Sequence, residues 1–123
     1  MDSRNYHNRA SDESRWMCEK LEAILASKIQ HLIRSESQQW CGLSQQGKSV
    51  FAYVNHRRRM KRIEIWIMGD PEKLQRHTTL TVQKRLPTTG GFGARFQSRV
   101  FIDSRDHLDE IANMLCVVSF PLS

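Results

Sequence analysis

In the run from Lys61 to Met68, isoleucine occupies every second position from Ile63 onward. The isoleucine side consists of Ile63, Ile65 and Ile67, and the other side consists of Glu64, Trp66 and Met68. A period of two predicts a β-strand whose two faces have different surroundings. The chain therefore has to build a sheet, and another layer has to cover the isoleucine face of that sheet.

Two amphipathic helices are predicted, one on each side of the strand region in the chain. The first is capped by Ser11 or Asp12 and runs to about Glu36. Its apolar stripe recurs at helical spacing: Trp16, Met17, Leu21, Ile24, Leu25, Ile29 and Leu32. The second is capped by Asp103 or Ser104. Its stripe consists of Leu108, Ile111, Ala112, Leu115 and Val118.

Four or five strands are predicted between these helices, with one helical turn at Glu72 to Arg76. The strand segments are Trp40 to Gln45, Val50 to Asn55, Lys61 to Met68, Thr78 to Arg85 and Arg95 to Ile102. The connections are too short for parallel crossovers, so the pairing is expected to be antiparallel. We predict an α+β two-layer sandwich with both helices packed on one face of the sheet. The predicted core face carries Ile63, Ile65, Ile67, Leu80, Val82, Val100 and Ile102.

The length of 123 residues is sufficient for one domain that needs no disulfide or metal to stabilise its core. We expect a flexible tail at residues 1–10 and a single α+β domain at residues 11–123. No apolar run approaches the ~20 residues of a membrane span, and the polar start MDSRNYHNRASDESR lacks the apolar core of a signal peptide. A cytoplasmic protein without membrane contact is the expectation.

The sheet face away from the helices is predicted to be apolar and basic together. Period two assigns to it Trp66, Met68, Phe101 and either Phe51 or Tyr53, beside Gln83, Arg85, Arg95, Gln97 and Arg99. Monomers seldom expose a large apolar patch without a use for it. We expect a second subunit, the N-terminal tail, a ligand or a nucleic-acid base to cover the face. The candidate interface or ligand residues are Tyr53, Trp66, Met68 and Phe101.

Positive charge is concentrated in the first half of the chain, which has a net charge of +6 overall. Between Lys48 and Arg62 lie six basic residues and no acidic one. Such a patch attracts polyanions, whereas the alternative is a solvated turn that protects a sheet edge. The candidate nucleic-acid contacts are Arg57, Arg58, Arg59, Lys61 and Arg62 in the loop 56–62, with Arg95 and Arg99 beside the aromatic residues.

Catalytic and metal-binding patterns are absent from the sequence. There is no P-loop, dinucleotide fingerprint, nucleophile elbow or zinc-protease motif. The three cysteines (Cys18, Cys41, Cys116) and five histidines are scattered without metal-ligand spacing. We therefore predict no catalytic residue, no metal and no cofactor.

The middle and end of the chain resemble a known domain family. The resembling segments are Gly47–Tyr53, Ile63–Trp66, Gly90–Gly93, Val100–Ser104 and Leu108–Ile111. They look like an uncharacterised bacterial family whose members are loosely labelled predicted transport proteins or occur appended to nuclease-like proteins. The resemblance covers roughly residues 38–118 and implies a helix-flanked antiparallel sheet with no established activity and no active-site residue. The short chain also resembles products of mobile gene cassettes.

Three functions follow as hypotheses. The first is a small non-catalytic binding module that self-associates, as a dimer, through the face without helices. The second is a nucleic-acid-binding accessory domain that uses the basic loop 56–62. The third is a small basic ribonuclease of the toxin type, which rests on size and charge alone.

Overall fold

A computed structural model describes residues 12–36, 40–56, 62–85 and 96–119. The helices are α1 (Asp12–Lys28), α2 (Pro71–Leu74) and α3 (Leu108–Ser119), with 3₁₀ turns at Gln75–His77 and Arg105–His107. The strands are β1 (Leu32–Glu36), β2 (Trp40–Gln45), β3 (Ala52–His56), β4 (Ile63–Ile67), β5 (Gln83–Lys84) and β6 (Ser98–Ile102).

The described strands form one antiparallel sheet in the order β1-β2-β3-β4-β6-β5. Helices α1 and α3 pack against each other and share one core with the sheet, so they lie on the same face. The α+β prediction is confirmed. The sheet has six strands in the described residues, however, and not four or five.

The additional strand comes from the segment that the sequence assigned to the end of the first helix. That helix ends at Lys28, and Leu32–Glu36 is the edge strand β1. His31 turns the chain between them with a φ of +59°. The turn is held because Gln46 N donates to His31 O and Gln45 Nε2 donates to Gln30 O. Cross-strand pairing with β2 therefore outweighs the helical spacing of Leu32.

The predicted strand from Thr78 to Arg85 is also shorter than expected, because side chains bind its first half. Gln75 Nε2 donates to Thr78 O and Leu80 O, and Gln75 Oε1 accepts from Val82 N. Glu110 on α3 accepts from the backbone and hydroxyl of Thr79. Only Gln83–Lys84 pairs with β6. The helical turn predicted after Asp70 is present as α2, and the Asp70 side chain caps it.

The predicted core face is buried against the helices, apart from Leu80, which is partly buried. Ile63, Ile65, Ile67, Val100 and Ile102 have no exposed surface. The α3 stripe is buried at four positions and partly buried at Val118. None of the helices in the described ranges has the length and apolar character of a membrane span.

Truncation of the central core strand should cost far more stability than the same change on the exposed edge. Ile65 is fully buried, whereas Ile33 on β1 is 41% exposed. We expect Ile65→Ala to lower the free energy of unfolding by about 2–5 kcal/mol and Ile33→Ala by less than about 1 kcal/mol. Urea denaturation measures both. Equal losses would mean that the two faces of the sheet are assigned wrongly.

A half-buried charged cluster joins β1 to α1 on the helix side of the sheet. Arg34 Nε lies 2.8 Å from Glu22 Oε1, and Arg34 Nη1 lies 2.9 Å from Glu36 Oε1. The second oxygens of both glutamates and Nη2 of Arg34 are buried without a hydrogen-bond partner in the described residues. Burial raises the pKa of Glu22 to about 7; Arg34 opposes this rise, and Glu36 and Glu19 reinforce it. Ionised Glu22 is therefore a destabilising charge at neutral pH.

We expect the free energy of unfolding to rise as the pH falls from about 8 to about 5, and Glu22→Gln to remove most of this rise. The folded-state pKa of about 7 exceeds the ordinary value of 4.5, so the folded chain binds the proton more tightly. The stabilisation by protonated Glu22 is complete below its pKa in the unfolded chain. It is lost as the pH rises through its pKa in the folded chain. At ~1.4 kcal/mol per pKa unit, the variant should be more stable than wild type by roughly 3 kcal/mol at pH ~8.

Urea unfolding across this pH range measures the effect. Glu72→Gln is the matched control because Glu72 is exposed on α2 and is not among the charges that act on the pKa of Glu22. Parallel pH profiles for wild type and Glu22→Gln would show that Glu22 is not the group that takes up the proton.

Candidate functional site

The strand register gathers aromatic and charged residues on the sheet face opposite the two helices, which we call the open face. In one row across the sheet, Trp66 on β4 lies opposite Tyr53 on β3 and Arg99 on β6. In the next row, Glu64 lies opposite Asn55 and Phe101, and Asn55 lies opposite Trp40 on β2. Directly opposed residues share a face of the sheet, so all these side chains belong to one surface.

The aromatic rings on the open face contact one another across strands. The ring centroids of Trp40 and Trp66 are 4.2 Å apart, although their strands are separated by β3. Tyr53 meets Phe96 edge-on at 5.0 Å. Phe96 precedes β6, and its side chain is almost fully buried. Tyr53 also lies over Gly42, where an added Cβ would be 3.0 Å from the ring. The aromatic cluster is therefore closely packed.

Three guanidinium groups lie against these rings. The Cζ atom of Arg85 is 3.6 Å from the Trp66 ring centroid, and that of Arg62 is 4.2 Å from the Phe101 centroid. Arg99 lies 5.5 Å from the Phe101 centroid. All three distances fall within the range of cation–π attraction. The rings are thus half-buried under cations and do not form a bare apolar patch.

A buried carboxylate holds the centre of this arrangement. Glu64 is only 3% exposed, and its Oε2 accepts a 2.8 Å hydrogen bond from the Trp66 indole. Arg99 Nη1 lies 3.6 Å from the same oxygen, while Arg99 Nε donates to Gln83 Oε1. A buried charge is stable only when it is paired. Glu64 therefore fixes both the indole ring and the Arg99 guanidinium.

Arg85 is anchored by the segment that leads into β6. Its Nη1 donates to Phe96 O at 2.6 Å, and its backbone N donates to Gln97 O at 2.7 Å. Burial lowers the pKa of Arg85, and the positive charge of Arg99 lowers it further, against the attraction of Glu64. A guanidinium nevertheless stays charged in proteins. Three arginines thus contact the rings of the open face, whereas the carboxylate at its centre, Glu64, is hidden from solvent.

The structure brings most of the described candidate residues together. Tyr53, Trp66, Phe101, Arg62 and Arg99 meet on the open face. Of the two alternatives, Phe51 is buried and belongs to the core cluster, whereas Tyr53 is only half-buried. Met68 follows the end of β4 and packs against the core cluster. Arg57, Arg58, Arg59, Lys61 and Arg95 lie outside the described residues.

Four residues of this surface are not among the predicted site residues: Trp40, Glu64, Arg85 and Phe96. Period two assigns Glu64 and Arg85 to the correct face, but nothing local marks either as part of a site. Trp40 belonged to a weak strand, and Phe96 lies outside the regular ladder of β6. Their contacts depend on strand order, which the sequence did not define.

The described residues show no arrangement that is typical of a metal site or of a reactive cysteine. No group of three metal-ligating side chains comes together there. Cys18 and Cys41 are buried, and Cys116 is half-buried. Burial raises the pKa of Cys41 to about 12, and the nearby Glu22 carboxylate adds to this rise. Because the reactive form of cysteine is the thiolate, Cys41 is unreactive at neutral pH.

Comparison of the chain with protein-family profiles, curated proteins and solved structures finds no match. The predicted family resemblance therefore stays a prediction.

Removal of the Glu64 carboxylate should destabilise the whole open face. We expect Glu64→Ala to lower the free energy of unfolding by about 2–4 kcal/mol, because the indole N–H and Arg99 lose their buried acceptor. The control is Glu72→Ala on α2, where the side chain is exposed and the change should stay within about 0.5 kcal/mol. Urea denaturation compares the two. Equal effects would contradict the organising role of Glu64.

Proposed function

We propose that this chain binds single-stranded nucleic acid on the open face of its sheet. The observation that carries the proposal is the placement of three arginine guanidiniums on aromatic rings of one surface. Aromatic stacking combined with positive charge is the usual way in which proteins hold single strands without reading a sequence. The phosphates of the strand would contact the positive charges of the arginines, and its bases would stack on the planar side chains of this face.

The charge of the open face favours a polyanion over a second copy of the chain. A symmetric dimer uses the same patch on both subunits. Two open faces in contact would bury the positive charges of Arg62, Arg85 and Arg99 from both subunits in one interface. Glu64, the carboxylate at the centre of this face, is already engaged by Trp66 and Arg99. Like charges at an interface are costly.

Self-association remains a second proposal, since Ile33 at the edge of the open face is 41% exposed. Ile33 lies opposite Ser44 on β2, on the same side of the sheet as Tyr53. Sedimentation velocity of wild type and Trp66→Arg separates the two proposals. A wild-type dimer that the substitution dissociates would favour self-association, and a monomer in both cases would exclude it.

Loss of Arg62 and Arg85, which lie over the Phe101 and Trp66 rings, should weaken single-strand binding. We expect Arg62→Ala/Arg85→Ala to lower the affinity for a labelled mixed-sequence single strand at least about tenfold, since one lost stacking contact costs ~1–3 kcal/mol. Fluorescence anisotropy measures the affinity at about 50 and 200 mM salt, and the wild-type affinity should fall steeply between them. The matching duplex should bind more weakly.

The control for net charge is Lys73→Ala/Arg76→Ala. Both residues are exposed and lie in the helical segment after β4, and their removal subtracts the same two charges. We expect this control to stay within about threefold of wild type. Equal losses in both double variants, or no binding by wild type at low salt, would refute the proposal.

The ribonuclease hypothesis requires that the protein cleave RNA. Electrophoresis of an RNA single strand after incubation with the protein tests it.

A further inference from the structure

The aromatic rings of the open face are already covered, and this limits how a base can bind. Trp66 is contacted by Trp40 from β2 and by Arg85, which lies beyond β6 in the sheet order. Phe101 is contacted by Arg62. The separations of 3.6 and 4.2 Å are close to van der Waals contact, so each guanidinium occupies the ring surface where a base would otherwise stack.

A guanidinium is planar, and the side of its plane that does not contact the ring is the side on which a base would stack. Guanidinium planes stack nucleobases as aromatic side chains do. Arg62 makes no ion pair in the described part of the chain, and its buried Nε has no hydrogen-bond partner there. Arg85 is held in place by Phe96 O. Both residues are only half-buried on their rings, so part of each side chain remains accessible to solvent.

The spacing of the two covered rings suits neighbouring bases that are not stacked on each other. Trp66 lies opposite Arg99, and Glu64 lies opposite Phe101, so Trp66 and Phe101 are diagonal neighbours across β4 and β6. Diagonal positions are roughly 7–8 Å apart, which is about twice the ~3.4 Å rise between stacked bases. A single strand can separate its bases in this way, whereas an intact duplex cannot.

We propose that Arg85 and Arg62 each stack one nucleobase on the outer plane of the guanidinium, which gives two subsites for adjacent, unstacked nucleotides. This inference rests on the proposed function and specifies its ligand. Each subsite is a sandwich of ring, guanidinium and base: Trp66 with Arg85, and Phe101 with Arg62. Arg99 is a positioning residue, because its guanidinium is engaged by Glu64 and Gln83.

Lysine substitution separates the planar group from its charge, because lysine keeps the charge on a compact ammonium group. The experiment compares wild type with Arg62→Lys/Arg85→Lys. The probes are a thymidine octamer and an octamer of abasic deoxyribose phosphates with the same charge. Arg76→Lys, an exposed arginine of the helical segment, is the control. Affinity is measured by competition at several salt concentrations.

We expect wild type to bind the thymidine octamer at least about tenfold more tightly than the abasic octamer. The double lysine variant should lose most of this preference, bind the abasic octamer as wild type does, and keep the same salt dependence. Arg76→Lys should behave as wild type with both probes.

Two results overturn the inference and are distinguishable from failure of the proposed function. If the double lysine variant keeps the full preference for thymidine, the arginines act as charges only, and single-strand binding itself stands. If the double lysine variant does not fold, the affinities of wild type for the two octamers decide. Equal affinities for both octamers overturn base stacking. If wild type binds neither octamer at low salt, the proposed function fails as well.

Discussion

A carboxylate buried at the centre of the open face determines the arrangement of the residues around it. Glu64 sits on the central strand β4, where it is nearly inaccessible to solvent. An isolated charge in such a position would cost several kcal/mol, roughly, so the fold has to supply donors. The Trp66 indole and Arg99 supply them. A single acidic residue thereby fixes an aromatic ring and a cation side by side.

The same strand connects this surface to the core. Ile65, next to Glu64 in the chain, is buried between the sheet and the two helices. Because side chains alternate along a strand, the core that holds Ile65 in place also determines where Glu64 and Trp66 point. Arg85, which follows the edge strand β5, contacts the ring of Trp66. The open face is therefore built on the packed core, and the Phe96 carbonyl oxygen holds Arg85 beside the Trp66 ring.

The local patterns of the sequence predicted what depends on neighbouring residues and failed where distant residues decide. Alternation around Ile65 identified the core strand and the two faces of the sheet correctly. Leu32 fitted a helical stripe, but pairing with β2 and the turn at His31 place it in a strand. Alternation assigned Arg85 to the open face, but Arg85 contacts Trp66, and Phe96 contacts Tyr53, only because β3, β4, β6 and β5 are neighbours in the sheet. Strand order is a tertiary property, so no local motif could predict these contacts.

The three tryptophans provide the most direct test of the account. Trp40 and Trp66 lie on the open face, whereas Trp16 lies on α1 against Arg105. The measurement is the ¹⁵N–¹H spectrum of the three indole groups during titration with a short single-stranded oligonucleotide. We predict that the Trp40 and Trp66 signals shift with saturable dependence on ligand while Trp16 stays in place. A bound oligonucleotide that shifts Trp16 alone, or that leaves all three signals unchanged, would contradict binding at the open face.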